Sequence, residues 1–518
     1  MTAPIESKRN LFVVIGASSA GTLIEWYDFY IFGSLATIIS TQFFPSGNPT
    51  AAFLLTLATF AAGFVVRPFG ALFFGRLGDL IGRKYTFLVT LILMGGATFA
   101  IGLVPDYETI GIAAPLIVLL LRLLQGLALG GEYGGAATYV AEHAPDASRG
   151  YYTSWIQTTA TLGLFVSLGV ILGCRLSMGE EKFGAWGWRV PFLLSVVLVV
   201  FSYLLRLKLR ESPLFQKVKA SGKGSKNPLT ESFGNWTNLR LVLLALFGAT
   251  AGQGVVWYTG QFYALTFLQK ALSVDLVSAT YIIAIALLVG TPFFIVFGAL
   301  SDRIGRKPIM MTGCLLAVAT YLPIYHAMAR AVDVSTKTEA AAPVVTTATR
   351  SDEAKNFREV TTRTLRTYTD GLSSTTTQVV ASRLDGTEPK TTTALAVTPG
   401  RSVGLTLVLL VLAQVLYVTM VYGPIAAFLV ELFPTRIRYT SMSLPYHIGN
   451  GVFGGMVPFV ATWLSASELA KPDGVLARLV GGPRFVGLLY PMLIAAVTLV
   501  VGCLFLRETR GAKMDDGA

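Results

Sequence analysis

The chain consists of long apolar runs separated by short polar segments. Each run has about 20 residues or more, the length at which an α-helix crosses the hydrocarbon core of a bilayer. With 53% hydrophobic and 14% charged residues, the composition excludes an ordinary soluble protein. We predict an all-α membrane protein of twelve transmembrane helices, over residues 11–40, 52–75, 85–104, 112–139, 152–175, 187–207, 240–268, 276–299, 308–328, 403–431, 438–465 and 485–506.

A ten-residue sequence occurs twice, each time between two apolar runs. Residues 75–84 and 298–307 share seven identical positions and lie 223 residues apart. A charged hairpin that recurs at the same place in both halves predicts two pseudo-symmetric six-helix bundles. We assign residues 1–207 to the N-terminal bundle, 208–239 to a cytoplasmic linker with a solvated middle at 217–226, and 240–518 to the C-terminal bundle.

The basic residues predict the orientation. Lys and Arg concentrate at the N-terminus, in both repeats, in the linker and at the C-terminus, while the short loops on the other side have few. The positive-inside rule places both termini in the cytoplasm and explains the net charge of +12 without nucleic acid. The first apolar run is too long and too aromatic for a cleaved signal peptide, so we interpret it as the first span of a multi-pass plasma (bacterial inner) membrane protein.

The second half carries an insert. Glu142 and Glu431, which end the fourth and tenth spans, lie 289 residues apart, against 223 for the repeats. The extra residues fall at 329–402, between the ninth and tenth helices, on the extracytoplasmic side. β-branched residues and the turn signals Asp370-Gly371 and Asp385-Gly386 favour a small β-structured cap. A disordered tether is the alternative.

Five charged residues lie well inside predicted spans: Glu25, Asp28, Arg67, Arg122 and Glu132. Charge in a bilayer is costly, so each needs a partner or a function. A buried carboxylate near a cation can change protonation as a cavity opens, which makes the acids candidates for proton coupling. The two arginines are candidates for binding a carboxylate, because a guanidinium does so bidentately. Asp28 and Arg122 fall at comparable depth, as do Glu25 and Arg67, and a proton on Asp28 or Glu132 would release Arg122 for a substrate carboxylate. Permanent ion pairs that lock helices are the alternative.

Neutral polar and aromatic residues mark a further set of candidate substrate contacts. Several on the seventh span are spaced four apart, so they share one helix face. Packing and interfacial aromatic belts are the alternative explanation. The candidates are Gln157, Trp257, Tyr258, Gln261, Tyr422, His447 and Asn450.

The repeats resemble the signature Gly-x-x-x-Asp-x-x-Gly-Arg-Lys of the major facilitator superfamily. At residues 25–30, 67–70, 122–126 and 130–135 the sequence also resembles the metabolite:proton symporters of that superfamily, whose members include permeases for citrate, 2-oxoglutarate, shikimate and proline/betaine. The enlarged loop after the ninth span is similar to that of the haloacid/acetate permeases.

The resemblance implies a cytoplasmic gate that holds an outward-open state and breaks during transport. Arg83 and Arg306 are placed to reach acids on neighbouring helices, with Glu142 and Glu431 as partners and Glu211 and Glu508 completing a symmetric set. The gate residues are Gly75, Asp79, Gly82, Arg83, Lys84, Glu142, Asp302, Gly305, Arg306, Lys307 and Glu431.

These features favour a proton-coupled secondary active transporter, a symporter, that imports a small organic anion. A short monocarboxylate such as acetate or a haloacetate is the first candidate. Alternatives are a symporter of di- or tricarboxylates or zwitterions (2-oxoglutarate, citrate, shikimate, betaine), an efflux antiporter, or a transporter-like sensor. The span-five motif of drug antiporters is missing, because residues 161–165 contain no proline.

Other classes of protein lack support in the sequence. Residues 221–225 do not form a phosphate loop, and we find no catalytic cluster, so neither an ATP-driven pump nor an enzyme is predicted. Cys174, Cys314 and Cys503 are scattered and predict neither a disulfide framework nor a metal site. The expected partners are the anion, protons and the lipid bilayer; we predict no cofactor and no required oligomer.

Overall fold

The computed structural model describes residues 8–45, 47, 49–207, 211–222, 224–352, 357–383 and 389–512. In this part of the chain, twelve helical segments follow one another as two six-helix bundles. Their bounds are α1 (Lys8–Ser34), α2 (Ala51–Leu80), α3 (Arg83–Leu103), α4 (Ala113–His143), α5 (Asp146–Met178), α6 (Arg189–Leu207), α7 (Trp236–Ala271), α8 (Leu276–Ile304), α9 (Arg306–Val332), α10 (Arg401–Leu432), α11 (residues 438–466) and α12 (Pro483–Phe505).

Ten of these helices are long and apolar enough to cross a membrane, counted over the described residues. The other two, α1 and α11, carry more polar residues, including Glu25 and Asp28 in α1 and His447 and Asn450 in α11. Their length matches that of their neighbours, so the twelve-helix prediction is confirmed. We call the end where the repeats at 75–84 and 298–307 lie the signature end, and the opposite end the insert end.

Close contact between α2 and α4 depends on glycine. A Cβ at Gly126 would overlap the carbonyl oxygen of Gly63, and one at Gly130 would overlap that of Arg67. Small residues of this kind let two membrane helices approach to backbone contact. The approach brings Arg67 of α2 and Arg122 of α4 into the same region of the N-terminal bundle.

The helices α7 and α11 depart from regular α geometry. A Cβ at Gly254 in α7 would overlap the carbonyl oxygen of Gly449 in α11, so these two helices are also in backbone contact. Wider turns with i→i+5 hydrogen bonds are typical of functional segments, since they redirect side chains locally. They occur at Leu246–Thr250, Thr259–Tyr263, Phe267–Ala271 and Ile448–Gly454.

The insert forms an antiparallel four-stranded sheet, as its β-branched composition predicts. Its strands are β1 (Val344–Asp352), β2 (Phe357–Thr367), β3 (Ser373–Ser382) and β4 (Lys390–Thr398), paired in chain order. The predicted turn at Asp370-Gly371 joins β2 and β3, and Gly371 adopts φ +81°. The turn signal at Asp385-Gly386 lies outside the described residues.

Strand β4 attaches the sheet to the loop between α7 and α8. The N–H of Val397 donates to the carbonyl of Ser273 at 2.8 Å, and the N–H of Asp275 donates to that of Val397 at 3.0 Å. Leu372 and Val397 are buried against the helical body. The β alternative is therefore confirmed over the disordered tether, and the sheet is attached to the C-terminal half.

The segment between the bundles is more ordered than a solvated linker. It contains a helix at Pro213–Ala220, begun by the Ser212 hydroxyl, which accepts from the N–H of Phe215 at 3.3 Å. Ser212 and Phe215 are both buried. The first turn of this helix is thus packed against the protein, because Phe215 gives it an apolar face to bury, while the described residues of the stretch predicted to be solvated, 217–226, are mostly exposed.

Candidate functional site

A chain of hydrogen bonds connects Asp28 on α1 to Arg122 on α4. Arg122 Nη1 donates to Gln125 Oε1 at 2.8 Å, Gln125 Nε2 donates to Thr98 Oγ1 at 2.5 Å, and Thr98 donates to Asp28 Oδ2 at 2.5 Å. All four side chains are buried. The predicted pairing of Asp28 with Arg122 is therefore indirect, through two neutral groups.

Arg122 is otherwise held by aromatic rings. Its guanidinium lies 4.4 Å from the ring centre of Phe32 and 5.0 Å from that of Phe60, which stabilises a cation where water is excluded. Arg122 Nε and Asp28 Oδ1 have no hydrogen-bond partner among the described residues. Each end of the chain therefore keeps a buried polar atom that a bound group would satisfy.

Arg67 is only 9% exposed, and its guanidinium lies over the ring of Phe64, 4.3 Å from the ring centre. No hydrogen bond or ion pair of its guanidinium occurs within the described residues. Glu25, Tyr258 and His447 lie within its electrostatic range. A buried arginine without an anionic partner is a strong anion-binding group, because its charge is poorly compensated.

Further buried polar atoms that lack a hydrogen-bond partner in the described part of the chain belong to residues predicted as site residues. They are Glu25 Oε2, Arg67 Nε, Trp257 Nε1 and His447 Nε2. These residues come from both bundles, on α1, α2, α7 and α11. The structure thus brings together acids and arginines of the first half with aromatic and imidazole groups of the second.

Glu132 is separated from this group. It forms an ion pair with Arg206 of α6, and it accepts from the Thr90 hydroxyl at 2.9 Å. Arg206 also donates to the carbonyl of Phe87 at 2.6 Å. The idea that protonation of Glu132 releases Arg122 is wrong for this arrangement, because the cation that Glu132 holds is Arg206.

Aromatic side chains close the space between the bundles. The rings of Tyr133 on α4 and Tyr446 on α11 stack with centres 3.6 Å apart, and the Tyr446 and Tyr422 hydroxyls are 2.6 Å apart. Trp26 of α1 packs against Trp257 of α7 at 5.2 Å. The two halves are therefore in contact in the middle of the membrane as well as at the signature end.

Amides supplement these contacts. Gln157 donates to the Tyr133 hydroxyl at 2.8 Å. Gln253 of α7 and Asn450 of α11 exchange two hydrogen bonds of 2.9 Å through their side-chain amides. Gln261 is buried in the wide turn at Thr259–Tyr263. Gln157 thus contacts one of the two stacked tyrosines, and Asn450 donates to the backbone carbonyl of the other, Tyr446, at 3.1 Å.

At the signature end, each repeat aspartate caps a helix of the other bundle. Asp79 accepts from the N–H and hydroxyl of Thr440, at 2.9 and 2.7 Å, in the first turn of α11. Asp302 accepts from the N–H groups of Gly150 and Tyr151, both at 2.8 Å, in the first part of α5. A carboxylate at a helix N-terminus satisfies free donors and complements the dipole. Each cap therefore ties one half to the other.

Ion pairs reinforce the first cap. Arg83 Nη2 lies 3.3 Å from Asp79 and 3.6 Å from Glu142, and Glu142 pairs with Arg438 of the other bundle at 2.9 Å. Ser212 also donates to Glu142. All four charged side chains are buried, so the network is shielded from solvent screening.

The second half repeats this arrangement with equivalent residues. Arg306 lies 2.7 Å from Asp302 and 3.1 Å from Glu431, and Glu431 pairs with Arg149 of the other bundle at 2.8 Å. Thr509 donates to Glu431 at 2.8 Å, as Ser212 does to Glu142. The predicted gate residues therefore form two symmetric networks that cross between the bundles.

The glycines and lysines of the repeats have distinct local roles. Gly82 and Gly305 adopt φ +128° and +109°, and a Cβ at either would meet the carboxylate that binds there. The carboxylate at Gly82 is that of Glu211, which accepts from the N–H groups of Arg83 and Lys84. The carboxylate at Gly305 is that of Glu508, which accepts from the N–H groups of Arg306 and Lys307. A Cβ at Gly75 would crowd the backbone of Thr440.

Thr98, Gln125, Arg149, Arg206 and Arg438 take part in these networks and were not predicted as site residues. A signal existed for two of them. Arg149 and Arg438 lie 289 residues apart, the same spacing as Glu142 and Glu431. For Thr98, Gln125 and Arg206 the local pattern holds no comparable signal.

Two pseudo-symmetric helical bundles, locked at one end and holding polar groups in the middle of the membrane, define the class of secondary transporters. The comparisons with known proteins identify the family. A sequence model described as sugar (and other) transporter matches residues 13–231. The inner membrane metabolite transport protein YhjE of Escherichia coli is 33% identical over 94% of this chain and 94% of its own length.

The chain belongs to the major facilitator superfamily, in its metabolite:proton symporter branch. It is also similar to a proline/betaine transporter of Salmonella typhimurium, at 37% identity over 60% of this chain and 63% of that protein. A citrate-proton symporter of Klebsiella pneumoniae is 36% identical over 60% of this chain and 69% of that protein. These relatives are transporters, which confirms that the chain is a multi-pass membrane transporter of small metabolites and not an enzyme.

A solved structure has the same fold. The proton:xylose symporter XylE bound to a bromodeoxyglucose superposes with a TM-score of 0.67, covering 98% of both chains at 16% identity. At this level of identity the likeness concerns the fold alone, which is that of the major facilitator superfamily.

Proposed function

We propose that the chain is a proton-coupled symporter that imports a small metabolite carrying a carboxylate group. The observation that carries the proposal is the buried connection from Asp28 to Arg122 through Thr98 and Gln125. A carboxylate and a guanidinium that are linked but not in direct contact can each take a second partner. A proton suits the first, and a substrate carboxylate suits the second.

Arg67 supports the same substrate class. It is buried, lacks an anionic hydrogen-bond partner within the described residues, and lies within electrostatic range of Tyr258 and His447 of the other bundle, which offer further polar atoms. We infer that a substrate carboxylate binds to Arg122 or Arg67, with Trp257, Tyr258, Gln261, Tyr422, His447, Asn450 and Gln157 shaping the rest of the site.

The names of the relatives support a carboxylate but leave its nature open. Citrate, proline and betaine, named for two of them, all carry at least one carboxylate. A short monocarboxylate such as acetate or a haloacetate remains a prediction from the sequence. Zwitterions and di- or tricarboxylates are the alternatives that these names favour.

We further propose that the signature end faces the cytoplasm of a bacterial cell, with both termini on that side and the 329–402 insert outside. The buried ion pairs then close the cytoplasmic side, so substrate cannot leave toward the cytoplasm in this conformation. Transport inward requires both cross-bundle networks to break, so that the bundles at 1–207 and 240–518 rotate about the central site, joined by the 208–239 segment.

In this proposal Asp28 carries the proton, with Glu25 as a second candidate and Glu132 placed in a separate pair with Arg206. The proton enters from outside with the substrate and neutralises Asp28. Neutralisation frees Arg122 to bind the substrate carboxylate, and deprotonation toward the cytoplasm reverses both steps. A charge that is always paired crosses the membrane at lower cost than an unpaired one.

The test is uptake by proteoliposomes of labelled acetate, chloroacetate, 2-oxoglutarate, citrate and betaine, with and without an inward proton gradient. Accumulation of one compound that depends on the gradient is the expected result. Saturable binding without uptake would instead identify a sensor, and gradient-driven loss of a preloaded cationic drug would identify an efflux antiporter. Either result would contradict the proposal.

A further inference from the structure

The Thr98 hydroxyl has more hydrogen-bond neighbours than it can satisfy in one orientation. It lies 2.5 Å from Asp28 Oδ2 and 3.0 Å from the carbonyl oxygen of Met94, both of which are acceptors. It also accepts from Gln125 Nε2 at 2.5 Å. A hydroxyl has a single hydrogen to donate, so it points either to Asp28 or to Met94.

We propose that Thr98 and Gln125 are positioning residues that transmit the protonation of Asp28 to Arg122. The inference rests on the proposed function and adds two residues to its mechanism. With Asp28 ionised, the donors Arg122, Gln125 and Thr98 all point toward the negative charge. Successive bonds that point the same way polarise and strengthen one another, so Gln125 holds Arg122 firmly.

A proton on Asp28 reverses the last link. The carboxylic acid then donates its O–H to Thr98 Oγ1, and the Thr98 hydrogen turns to the carbonyl of Met94. The Thr98 oxygen now accepts two hydrogen bonds, and the negative charge that polarised the chain is gone. The bonds from Gln125 to Thr98 and from Arg122 to Gln125 weaken, which releases the guanidinium for a carboxylate.

The side chains are placed for this task by helix geometry. Arg122 and Gln125 are three residues apart and share one face of α4. Thr98 is fully buried and Gln125 is 2% exposed, so water does not compete for these bonds. A glutamine is suited to the central position, because its amide both donates and accepts.

Other titratable groups surround Asp28. Glu25 and Tyr27 lie on the same helix and interact electrostatically with it, as does Arg122. From the other packed helices, Arg67 acts on Glu25, and Arg206 is held by Glu132. None of these groups hydrogen-bonds Asp28 in the described residues, where Thr98 is its described partner.

The experiment compares Thr98→Val, which keeps the side-chain shape and removes the hydroxyl, with Thr98→Ser, which keeps the hydroxyl. Gln125→Leu breaks the next link. Thr56→Val is the matched control, because the Thr56 hydroxyl is buried and donates to a carbonyl of its own helix, that of Ala52, at 3.0 Å. Size-exclusion elution reports folding, and gradient-driven uptake in proteoliposomes gives KM at several external pH values.

In the wild type and in the Thr98→Ser and Thr56→Val variants, KM is expected to fall about tenfold as external pH is lowered, since a hydrogen bond to a charged group is released. In Thr98→Val and Gln125→Leu, KM is expected to stay nearly constant over the same range, while substrate exchange at a single pH persists. Either folded variant keeping the wild-type pH dependence of KM would overturn the relay alone. A wild type without gradient-driven uptake would overturn the proposed function, and the relay with it.

Discussion

The two halves of the molecule are nearly equivalent at the signature end and quite different in the middle of the membrane. At the signature end every element of one half has its counterpart in the other: a capping aspartate, an arginine, a helix-ending glutamate and a cross-bundle arginine. The pairs are Asp79 and Asp302, Arg83 and Arg306, Glu142 and Glu431, Arg149 and Arg438.

In the middle, the acids and arginines belong to the first half. Glu25, Asp28, Arg67, Arg122 and Glu132 lie deep in α1, α2 and α4, whereas acids and bases of the C-terminal helices lie near helix ends. The second half offers neutral groups instead, such as Gln253, Trp257, Tyr422, His447 and Asn450.

The difference follows from what each region must do. A gate between two bundles requires each bundle to hold the other, so the aspartate cap and its ion pairs occur in both halves. Charge in the middle of the membrane is costly, and one set suffices to couple a proton to an anion. We infer that the first half carries the charge chemistry and the second half recognises the remainder of the substrate.

The largest effect is expected when Asp28 is neutralised, because this tests whether the first half carries the coupled proton. Asp28→Asn keeps the size and the hydrogen bond from Thr98 but cannot bind and release a proton. Accumulation driven by a proton gradient is expected to fall to background, while exchange of internal for external substrate persists. Uptake with and without a gradient measures the effect. Wild-type accumulation by this variant would contradict the assignment of the proton to Asp28.

The next largest effect is expected at Arg122. Arg122→Lys keeps the charge but loses the planar fork and the second hydrogen bond to a carboxylate. Substrate affinity should fall by about tenfold to a hundredfold, the value of one charge-assisted hydrogen bond. Competition binding with detergent-solubilised protein measures it. Arg67→Lys, tested in parallel, identifies which arginine holds the carboxylate, and wild-type affinity in both variants would exclude both.

The signature end should respond equally in its two copies. Arg149→Gln leaves Glu431 without its cross-bundle partner, and Arg438→Gln does the same to Glu142. Removal of one member of a buried pair costs about 3–5 kcal/mol, so the closed state of this end should lose stability in both variants. Arg436→Gln is the control, because its pair with Glu231 is half exposed and contributes about 0.2–1 kcal/mol.

Opening is measured by the labelling rate of a single cysteine. Ser154→Cys, in a background with the native cysteines changed to serine, places the thiol against Gly298 where α5 and α8 meet at the signature end. Labelling by a membrane-impermeant maleimide should accelerate about tenfold or more in both arginine variants. A large increase in only one of them would contradict the symmetry of the gate.

The sequence predicted the symmetric part of the molecule best. The repeat itself points to Asp79, Arg83, Asp302 and Arg306, and their placement needed no long-range information. The pairing of Glu142 and Glu431 with arginines of the other bundle was missed, because Arg149 and Glu431 are 282 residues apart and Glu142 and Arg438 are 296 apart. Such pairs arise from the packing of two bundles, which no local pattern encodes.

The central region shows a second limit. A proton on Glu132 was predicted to release Arg122, which lies on the same helix. Ten residues rotate an α-helix by about 1000°, so the two side chains point about 80° apart and meet different neighbours. Glu132 therefore faces Arg206 of α6, while Arg122 faces Gln125 and the rings of α1 and α2.

The smallest expected effect concerns the uncharged polar residues in the middle of the second half. Gln253 and Asn450 bind each other through two hydrogen bonds, so Gln253→Leu or Asn450→Leu alone leaves a buried amide without its partner, which costs about 1–3 kcal/mol. The double variant removes both polar groups and should recover part of that loss in thermal stability. Because this pair carries no charge, none of the three variants should change the pH dependence of uptake. A pH profile that shifts with either amide would show that the second half takes part in proton coupling, and the division of labour between the halves would then be wrong.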